Sequence, residues 1–179
     1  SHNPAKWNGF KIKGDFGGPA HPEMIAKVEK ELDRVLKRKR IPPGKHTLQE
    51  LVEKQRIILL DMRQQYIENL MQKLNLDVIK AAGIRILYDA MYGACKAVLG
   101  ALLPGVTEIH GEYNPSFGGT NPEPLAHNLT ELVRRVKVDR FDIGIATDGD
   151  ADRIGAVDEQ GNFVDSHRIF ALLLKHFIE

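Results

Sequence analysis

The sequence predicts an α/β layer fold with a largely parallel sheet that is covered on both faces. Apolar runs with strand character alternate with amphipathic helical patterns along the second part of the chain, as in parallel sheets with helical crossovers. The run at residues 141–146 is almost continuously apolar, which is typical of a strand buried on both faces. Gly, Pro or polar turns separate the segments, so each predicted element has a stop signal of its own.

The first block of the chain predicts one strand and at least one helix. Apolar and basic residues alternate at residues 10–13, which predicts a half-buried strand. Apolar positions at helical spacing over residues 22–36 predict an amphipathic helix. Thr47 is followed three residues later by Glu50, which indicates a capping box at the start of a further helix. The apolar residues 57–60 suit a strand or a buried helix equally, and that segment stays open.

From Asp61 onward the chain reads as an alternation of helices and strands. One helical face recurs from Met62 to Leu74, and a last helix begins at Ser166. Each remaining element shows the hydrophobic period or the segment length that is typical of a helix or of a strand. Helices are predicted at residues 93–103 and 125–136, and strands at residues 84–88, 106–110, 141–146 and 154–157.

Charge and cysteine content exclude several classes of function. The 179 residues carry 25 Lys plus Arg and 24 Asp plus Glu, a net charge of +1, which argues against a surface for nucleic acid or an anionic membrane. Apolar runs are far shorter than the about 20 residues of a membrane span. Cys95 is the only cysteine, so a reducing, cytoplasmic location is expected. Because the chain opens on a polar turn without Met, we expect a piece of a longer protein.

Three carboxylates, those of Asp148, Asp150 and Asp152, directly follow the buried-type strand. Ligands of open α/β sheets gather beyond the carboxyl ends of strands, and clustered carboxylates repel one another unless a proton or a cation neutralises them. Mg²⁺ is a hard ion that prefers such oxygen ligands. Gly149 and Ala151 keep side-chain bulk away where the backbone would surround an ion. The sequence therefore predicts a metal-binding loop rather than a solvated acidic turn.

Other interpretations of this loop stay open. An EF-hand calcium loop would take its ligands from the three aspartates and Glu159. However, Arg153 occupies the position that such a loop gives to Gly, and the flanking segments are predicted strands. A haloacid dehalogenase-type phosphotransferase would use Asp148 as its nucleophile, although Asp152 stands where that family usually has Thr or Val. A Mg²⁺- or Ca²⁺-binding α/β module without catalysis is a further alternative.

Three short motifs, in this order and at this separation, carry a family resemblance. Ser-His-Asn-Pro at residues 1–4 is followed by Asn-Gly-Phe-Lys at residues 8–11, and Asp-Gly-Asp-Ala-Asp-Arg stands much later at residues 148–153. The combination resembles the α-D-phosphohexomutases, which include phosphoglucomutase and phosphomannomutase. Residues 84–93 resemble the opening of that family's second domain. Residues 114–124 resemble its Pro-rich loop, for which we expect a structural role.

The resemblance implies a role for each matching residue of the metal site. Ser1 matches the phosphorylated catalytic serine of the family. One Mg²⁺ would be bound by Asp148, Asp150 and Asp152 together with an oxygen of the phosphorylated Ser1.

It also implies three further catalytic residues. Lys11 matches a lysine implicated in general acid–base chemistry, and His2 matches the histidine beside the serine. Arg153 matches the arginine that closes the metal loop and helps to hold phosphate.

The resemblance further implies the architecture and the reaction. We expect a three-layer helix/sheet/helix domain with a mixed, largely parallel sheet, preceded by a partial α/β domain. Residues 1–50 would end domain 1, residues 51–163 would form domain 2 and residues 164–179 would start domain 3. The whole protein would convert hexose 1-phosphate and hexose 6-phosphate through a hexose 1,6-bisphosphate intermediate.

Because one of the family's four domains and parts of two others are missing, the chain alone is expected to be inactive. The choice among glucose, mannose and glucosamine phosphates, and the oligomeric state, stay open.

Overall fold

The computed structural model describes residues 2–7, 9–37 and 44–179. The chain divides into two compact units, one of residues 8–61 and the other of residues 1–7 together with 62–179. The domain boundaries after residues 50 and 163 stay predictions. Among the helices in the described ranges, none has the combined length and apolar character that crossing a bilayer requires.

The smaller unit contains the amphipathic helix and the capping box that the sequence predicts. Helix α1 spans Pro22–Lys37. Helix α2 spans Leu48–Glu53, and Thr47 is its N-cap residue. The Thr47 hydroxyl accepts a hydrogen bond from the Glu50 amide at 3.2 Å, and the Glu50 carboxylate accepts one from the Thr47 amide at 3.1 Å. Both predictions are confirmed.

Two further expectations for this unit fail. The strand predicted at residues 10–13 is wrong, because the described residues there form only an isolated antiparallel bridge between Lys13 and Pro19. A strand needs a neighbouring strand to pair its backbone groups, and this segment pairs only with the turn that follows it. Residues 57–60 form neither a strand nor a helix, and Ile58, for example, is 76% exposed.

The larger unit contains a sheet and the helices that cover it. Its described helices are α3 (Arg63–Lys73), α4 (Leu76–Ala81), α5 (Val98–Leu102), α6 (Thr130–Val138) and α7 (Ser166–Ile178). Its strands are β1 (Ile86–Asp89), β2 (Thr107–Ile109), β3 (Ile143–Thr147), β4 (Ile154–Asp158) and β5 (Phe163–Val164). The four predicted strands of this unit are confirmed with ends shifted by up to two residues, whereas α4 and β5 have no counterpart in the predictions.

The sheet is mixed, as expected, with the strand order β2-β1-β3-β4-β5. Strand β1 pairs in parallel with β2 and with β3, whereas β4 pairs antiparallel with β3 and with β5. Parallel neighbours need a crossover of a dozen or more residues. The short loop at residues 148–153 between β3 and β4 therefore permits only a hairpin.

Helices cover both faces of the sheet, which confirms the three-layer arrangement. On one face α6 packs against the sheet through a buried cluster: Leu87, Met91, Ile109, Leu129, Leu132, Val136, Phe141, Ala146 and Val157. On the other face α3, α4 and α5 contribute a second cluster: Ile67, Leu76, Ile86, Val98, Leu102 and Leu103. A side chain at Gly144 would come within 2.7 Å of Val136, so glycine allows α6 to lie directly on β3.

Helix α5 is much shorter than the helix predicted at residues 93–103. Ala97 has a left-handed backbone (φ 61°) and precedes the first helical residue, Val98. Upstream of it, the Ala94 amide donates a hydrogen bond to the Gly149 carbonyl at 2.9 Å. The start of the predicted helix is therefore a turn that binds the acidic loop.

Candidate metal centre

The acidic loop is closed by two hydrogen bonds between its first and last residues, Asp148 and Arg153. Thr147 and Ile154 are paired where β3 ends and β4 begins. The Arg153 amide donates to the Asp148 carboxylate oxygen Oδ1 at 3.0 Å, and the Asp148 amide donates to the Arg153 carbonyl at 3.3 Å. Ala151 is left-handed (φ 59°), which turns the chain between the second and third aspartates.

This closure brings the three predicted ligands together. Carboxylate oxygens of Asp148, Asp150 and Asp152 all lie within 4.8 Å of one another, with Asp148 fully buried and the other two exposed. Three like charges this close favour a cation over an empty solvated turn. An all-oxygen donor set with two exposed members suits Mg²⁺, which binds through a few carboxylates and keeps several waters. The residues present therefore fit the ion that the sequence predicts.

A glycine turn supports the loop from the side of β1. A Cβ atom built on Gly93 would lie 2.9 Å from the carbonyl oxygens of Asp148 and Gly149 and 3.0 Å from that of Ala90. Two backbone segments can approach this closely only where no side chain intervenes. Gly93 therefore determines how the turn after β1 meets the metal loop.

The Pro-rich loop supports the other side of the site. The Gly149 amide donates to the Pro122 carbonyl at 3.2 Å, and the Arg153 guanidinium donates to the Glu123 carboxylate at 2.6 Å. The contact with Pro122 agrees with the structural role that the sequence predicts for this loop. The ion pair with Glu123 was missed, because its partners lie 30 residues apart and only the Pro-Glu-Pro sequence around Glu123 offers a local signal.

A second polar cluster lies beyond the carboxyl ends of β1 and β2. His110 Nδ1 is 3.0 Å from the buried Asp89 carboxylate, and its Nε2 is 3.4 Å from Glu131. The ring of Tyr92 packs against His110 with centroids 4.8 Å apart. Burial raises the pKa of the Asp89 carboxyl, although the Met91 amide and His110 act in the opposite direction.

This cluster lines a cavity of about 200 Å³. The connections after β1 and β2 run to opposite faces of the sheet, through α5 and α6 respectively, and such a switch point creates a crevice in α/β folds. Sequence analysis missed the cluster, since its members are far apart in sequence and the resemblance of residues 84–93 assigns no role to Asp89 or Tyr92.

The other predicted site residues, Ser1, His2 and Lys11, differ in whether the structure describes them and in the compact unit to which they belong. Ser1 lies outside the described residues. His2 is half-buried and belongs to the same compact unit as the metal loop. Lys11 is exposed and belongs to the smaller unit. The structure thus brings together the three aspartates and Arg153, and the other assignments stay predictions. Strands rather than helices flank the loop, so the EF-hand alternative is wrong.

Comparison with known proteins identifies both parts of the chain. Residues 64–161 match the sequence model of phosphoglucomutase/phosphomannomutase, alpha/beta/alpha domain II. Residues 1–39 match that of phosphoglucomutase/phosphomannomutase, alpha/beta/alpha domain I.

Curated relatives extend this match over nearly the whole chain. A phosphoglucosamine mutase of Natranaerobius thermophilus is 35% identical over 188 residues, which cover 98% of this chain and 38% of the relative. A probable phosphoglucosamine mutase of Methanopyrus kandleri is 29% identical over 183 residues, which cover 100% of this chain and 38% of the relative. The chain thus spans about two fifths of the length of the curated relatives it matches.

A solved structure supports the same assignment. The crystal structure of a protein from Thermus thermophilus, described as a phosphomannomutase, superposes with a TM-score of 0.79 at 29% identity and covers 98% of this chain and 39% of its own. The two matched domain models agree with this likeness. The chain therefore belongs to the phosphoglucomutase/phosphomannomutase family of α-D-phosphohexomutases.

Proposed function

We propose that this chain provides the metal loop and the phosphoserine of a phosphohexomutase. The observation that carries the proposal is the cluster of Asp148, Asp150 and Asp152 at the carboxyl end of β3. Phosphoryl transfer depends mostly on positioning and on neutralising charge. When Mg²⁺ is bound by these aspartates and by an oxygen of phosphorylated Ser1, it supplies the positive charge that offsets the phosphoryl oxygens.

Ser1 and two bases would carry out the transfer. In the first half-reaction the P–O bond to the Ser1 oxygen breaks, and a sugar hydroxyl oxygen forms the new bond to phosphorus. The hydroxyl proton passes to Lys11 or His2, and the Ser1 oxygen leaves as a hydroxyl after regaining a proton. Arg153 would hold phosphoryl oxygens through its planar fork of N–H donors. The second half-reaction reverses these steps at the other end of the bisphosphate.

The whole protein would interconvert the 1-phosphate and the 6-phosphate of a hexose or hexosamine. The names of the relatives support this substrate class, since they are phosphoglucosamine mutases and a phosphomannomutase. Hexose 1,6-bisphosphate would be the intermediate, and a cytoplasmic location remains our expectation. Because positioning accounts for roughly 7–11 kcal/mol of a barrier, we expect no turnover from these 179 residues alone.

Calorimetric titration with Mg²⁺ tests the metal site directly. We expect wild-type chain to bind Mg²⁺ and Asp150→Asn to lose that binding without losing its fold, because Asp150 is exposed. Glu159→Gln is the matched control, since it also removes one exposed carboxylate near the hairpin. Loss of binding in the control but not in Asp150→Asn would contradict the assignment, as would tight Ca²⁺ binding without Mg²⁺ binding.

Phosphorylation of Ser1 separates a half-competent enzyme from a module that only binds a metal. After incubation with glucose 1,6-bisphosphate, mass spectrometry should find one phosphate on Ser1 in the presence of Mg²⁺. The Asp150→Asn variant should remain unmodified. A chain that binds Mg²⁺ but never becomes phosphorylated would support the non-catalytic module instead.

A further inference from the structure

The Pro-rich loop meets the metal hairpin on both sides of Arg153. On one side, the Pro122 carbonyl accepts a hydrogen bond from the Gly149 amide. On the other side, a Cβ atom on Gly155 would lie only 2.8 Å from the Pro124 carbonyl oxygen. The second approach depends on glycine at position 155. Glu123 stands between the two prolines and is therefore held opposite Arg153, which lies between Gly149 and Gly155 in the hairpin.

The backbone around Glu123 is fixed independently of its side chain. Its carbonyl accepts hydrogen bonds from the Asn128 side chain at 3.0 Å and from the Leu125 amide at 2.8 Å. Its own amide donates to the Asn121 carbonyl at 2.7 Å. The Glu123 carboxylate, whose side chain is 23% exposed, accepts from Arg153 Nη1 at 2.6 Å.

Arg153 is held at its backbone and at its guanidinium. Its backbone amide bonds to the carboxylate of Asp148, and its Nη1 bonds to Glu123. A half-exposed ion pair contributes little to folding stability, yet it can fix the orientation of a planar group that carries five N–H donors. The donors that Glu123 does not engage are then available to an anion at the metal loop.

We propose that Glu123 is a positioning residue, which orients the Arg153 guanidinium toward the phosphoryl group received at the metal loop. This inference rests on the proposed function. It assigns to the Pro-rich loop a part in anion binding beyond its structural role, although Glu123 itself would not touch the phosphate.

The sign of the change in anion affinity when Glu123 is neutralised distinguishes a positioning role from a purely electrostatic effect. Removing a nearby negative charge strengthens the binding of an anion when charge alone matters. If Glu123 orients Arg153, its neutralisation weakens anion binding instead, because the guanidinium loses its fixed geometry. The two explanations therefore predict opposite signs for Glu123→Gln.

The experiment measures inorganic phosphate binding to the 179-residue chain saturated with Mg²⁺. We expect Glu123→Gln to bind phosphate about fivefold more weakly than wild type, and Glu123→Asp, which keeps the charge on a shorter side chain, to fall between them. Glu131→Gln is the matched control, since it removes a half-exposed carboxylate at the same end of the sheet. Its phosphate affinity should be unchanged or slightly higher, and Mg²⁺ affinity should be unchanged in all three variants.

A second readout follows Arg153 itself. Nitrogen-15 relaxation of the Arg153 Nε–H group should show a more mobile side chain in Glu123→Gln than in wild type, with the melting temperature unchanged. Phosphate binding by Glu123→Gln as tight as that of wild type, or an equally rigid Arg153 side chain, would overturn the inference. So would a wild-type chain that binds Mg²⁺ but no phosphate. Failure of wild type to bind Mg²⁺ at all would instead refute the proposed function.

Discussion

Gly93→Ala tests whether close backbone packing holds the metal loop in place. The added Cβ would lie within 3.0 Å of three backbone carbonyl oxygens, whereas ordinary van der Waals contact begins at 3.4 Å. Each oxygen would have to move by at least a few tenths of an ångström. None of the three is the end of a flexible side chain, so the strain passes into the turn and into Asp148.

The expected cost follows from this overlap. Inserting a methyl group into a closely packed site costs about 1–3 kcal/mol when the neighbours cannot yield. For a unit of this size, that corresponds to a fall in melting temperature of roughly 4–10 °C. Because Mg²⁺ tolerates little deviation from octahedral geometry, we also expect its affinity to fall at least about fivefold.

Thermal unfolding and Mg²⁺ calorimetry measure both effects on the same preparation. Gly100→Ala is the matched control: it makes the same substitution inside α5, where an added Cβ meets no atom within 4 Å. That control should be unchanged or stabilised by up to about 1 kcal/mol, since alanine favours helix. If Gly93→Ala unfolds and binds Mg²⁺ like wild type, close packing against Gly93 does not position the loop.

Three further variants test the packing and the electrostatics of the fold. Burial raises the pKa of Asp89, so the folded chain binds this proton more tightly than the unfolded chain does. Stability therefore falls as pH rises from the ordinary pKa of 3.8 through the raised value, and Asp89→Asn should reduce this fall in melting curves recorded between about pH 4 and pH 7. Leu132→Ala removes a fully buried side chain and should lower the free energy of unfolding by about 2–5 kcal/mol in urea titrations; an effect below about 1 kcal/mol would contradict the packing of α6. Thr47→Ala deletes the capping hydroxyl of α2 and should cost about 1 kcal/mol, measured by denaturant unfolding against Gln49→Ala, on the same helix, as control.

Hydrophobic periodicity and turn residues were sufficient to predict several helices and strands. Helix α1, the capping box at Thr47 and the four principal strands of the larger unit follow from periodicity and from turn residues. The acidic loop was also predictable, since its three carboxylates stand within five residues of sequence.

Contacts between distant segments were not predictable in this way. The turn at Ala94 has helical composition, but its amide bonds to Gly149 and the helix starts four residues later. The strand expected at residues 10–13 has the right alternation and lacks a strand to pair with. Glu123 and Arg153, like Asp89 and His110, meet only when the sheet forms. The local sequence around each partner does not identify the other, because the partners of each pair lie at least 21 residues apart.

The hairpin that carries the metal loop also has a kinetic consequence. Strands β3 and β4 are adjacent in sequence and pair across a short connection, and contacts of such low sequence separation form early in folding. The three carboxylates are then brought together, with their mutual repulsion, before the parallel pairing of β3 with the distant strand β1 is complete. A cation present at that moment relieves the repulsion in the folding transition state. We therefore expect Mg²⁺ to accelerate folding of the larger unit as well as to slow its unfolding.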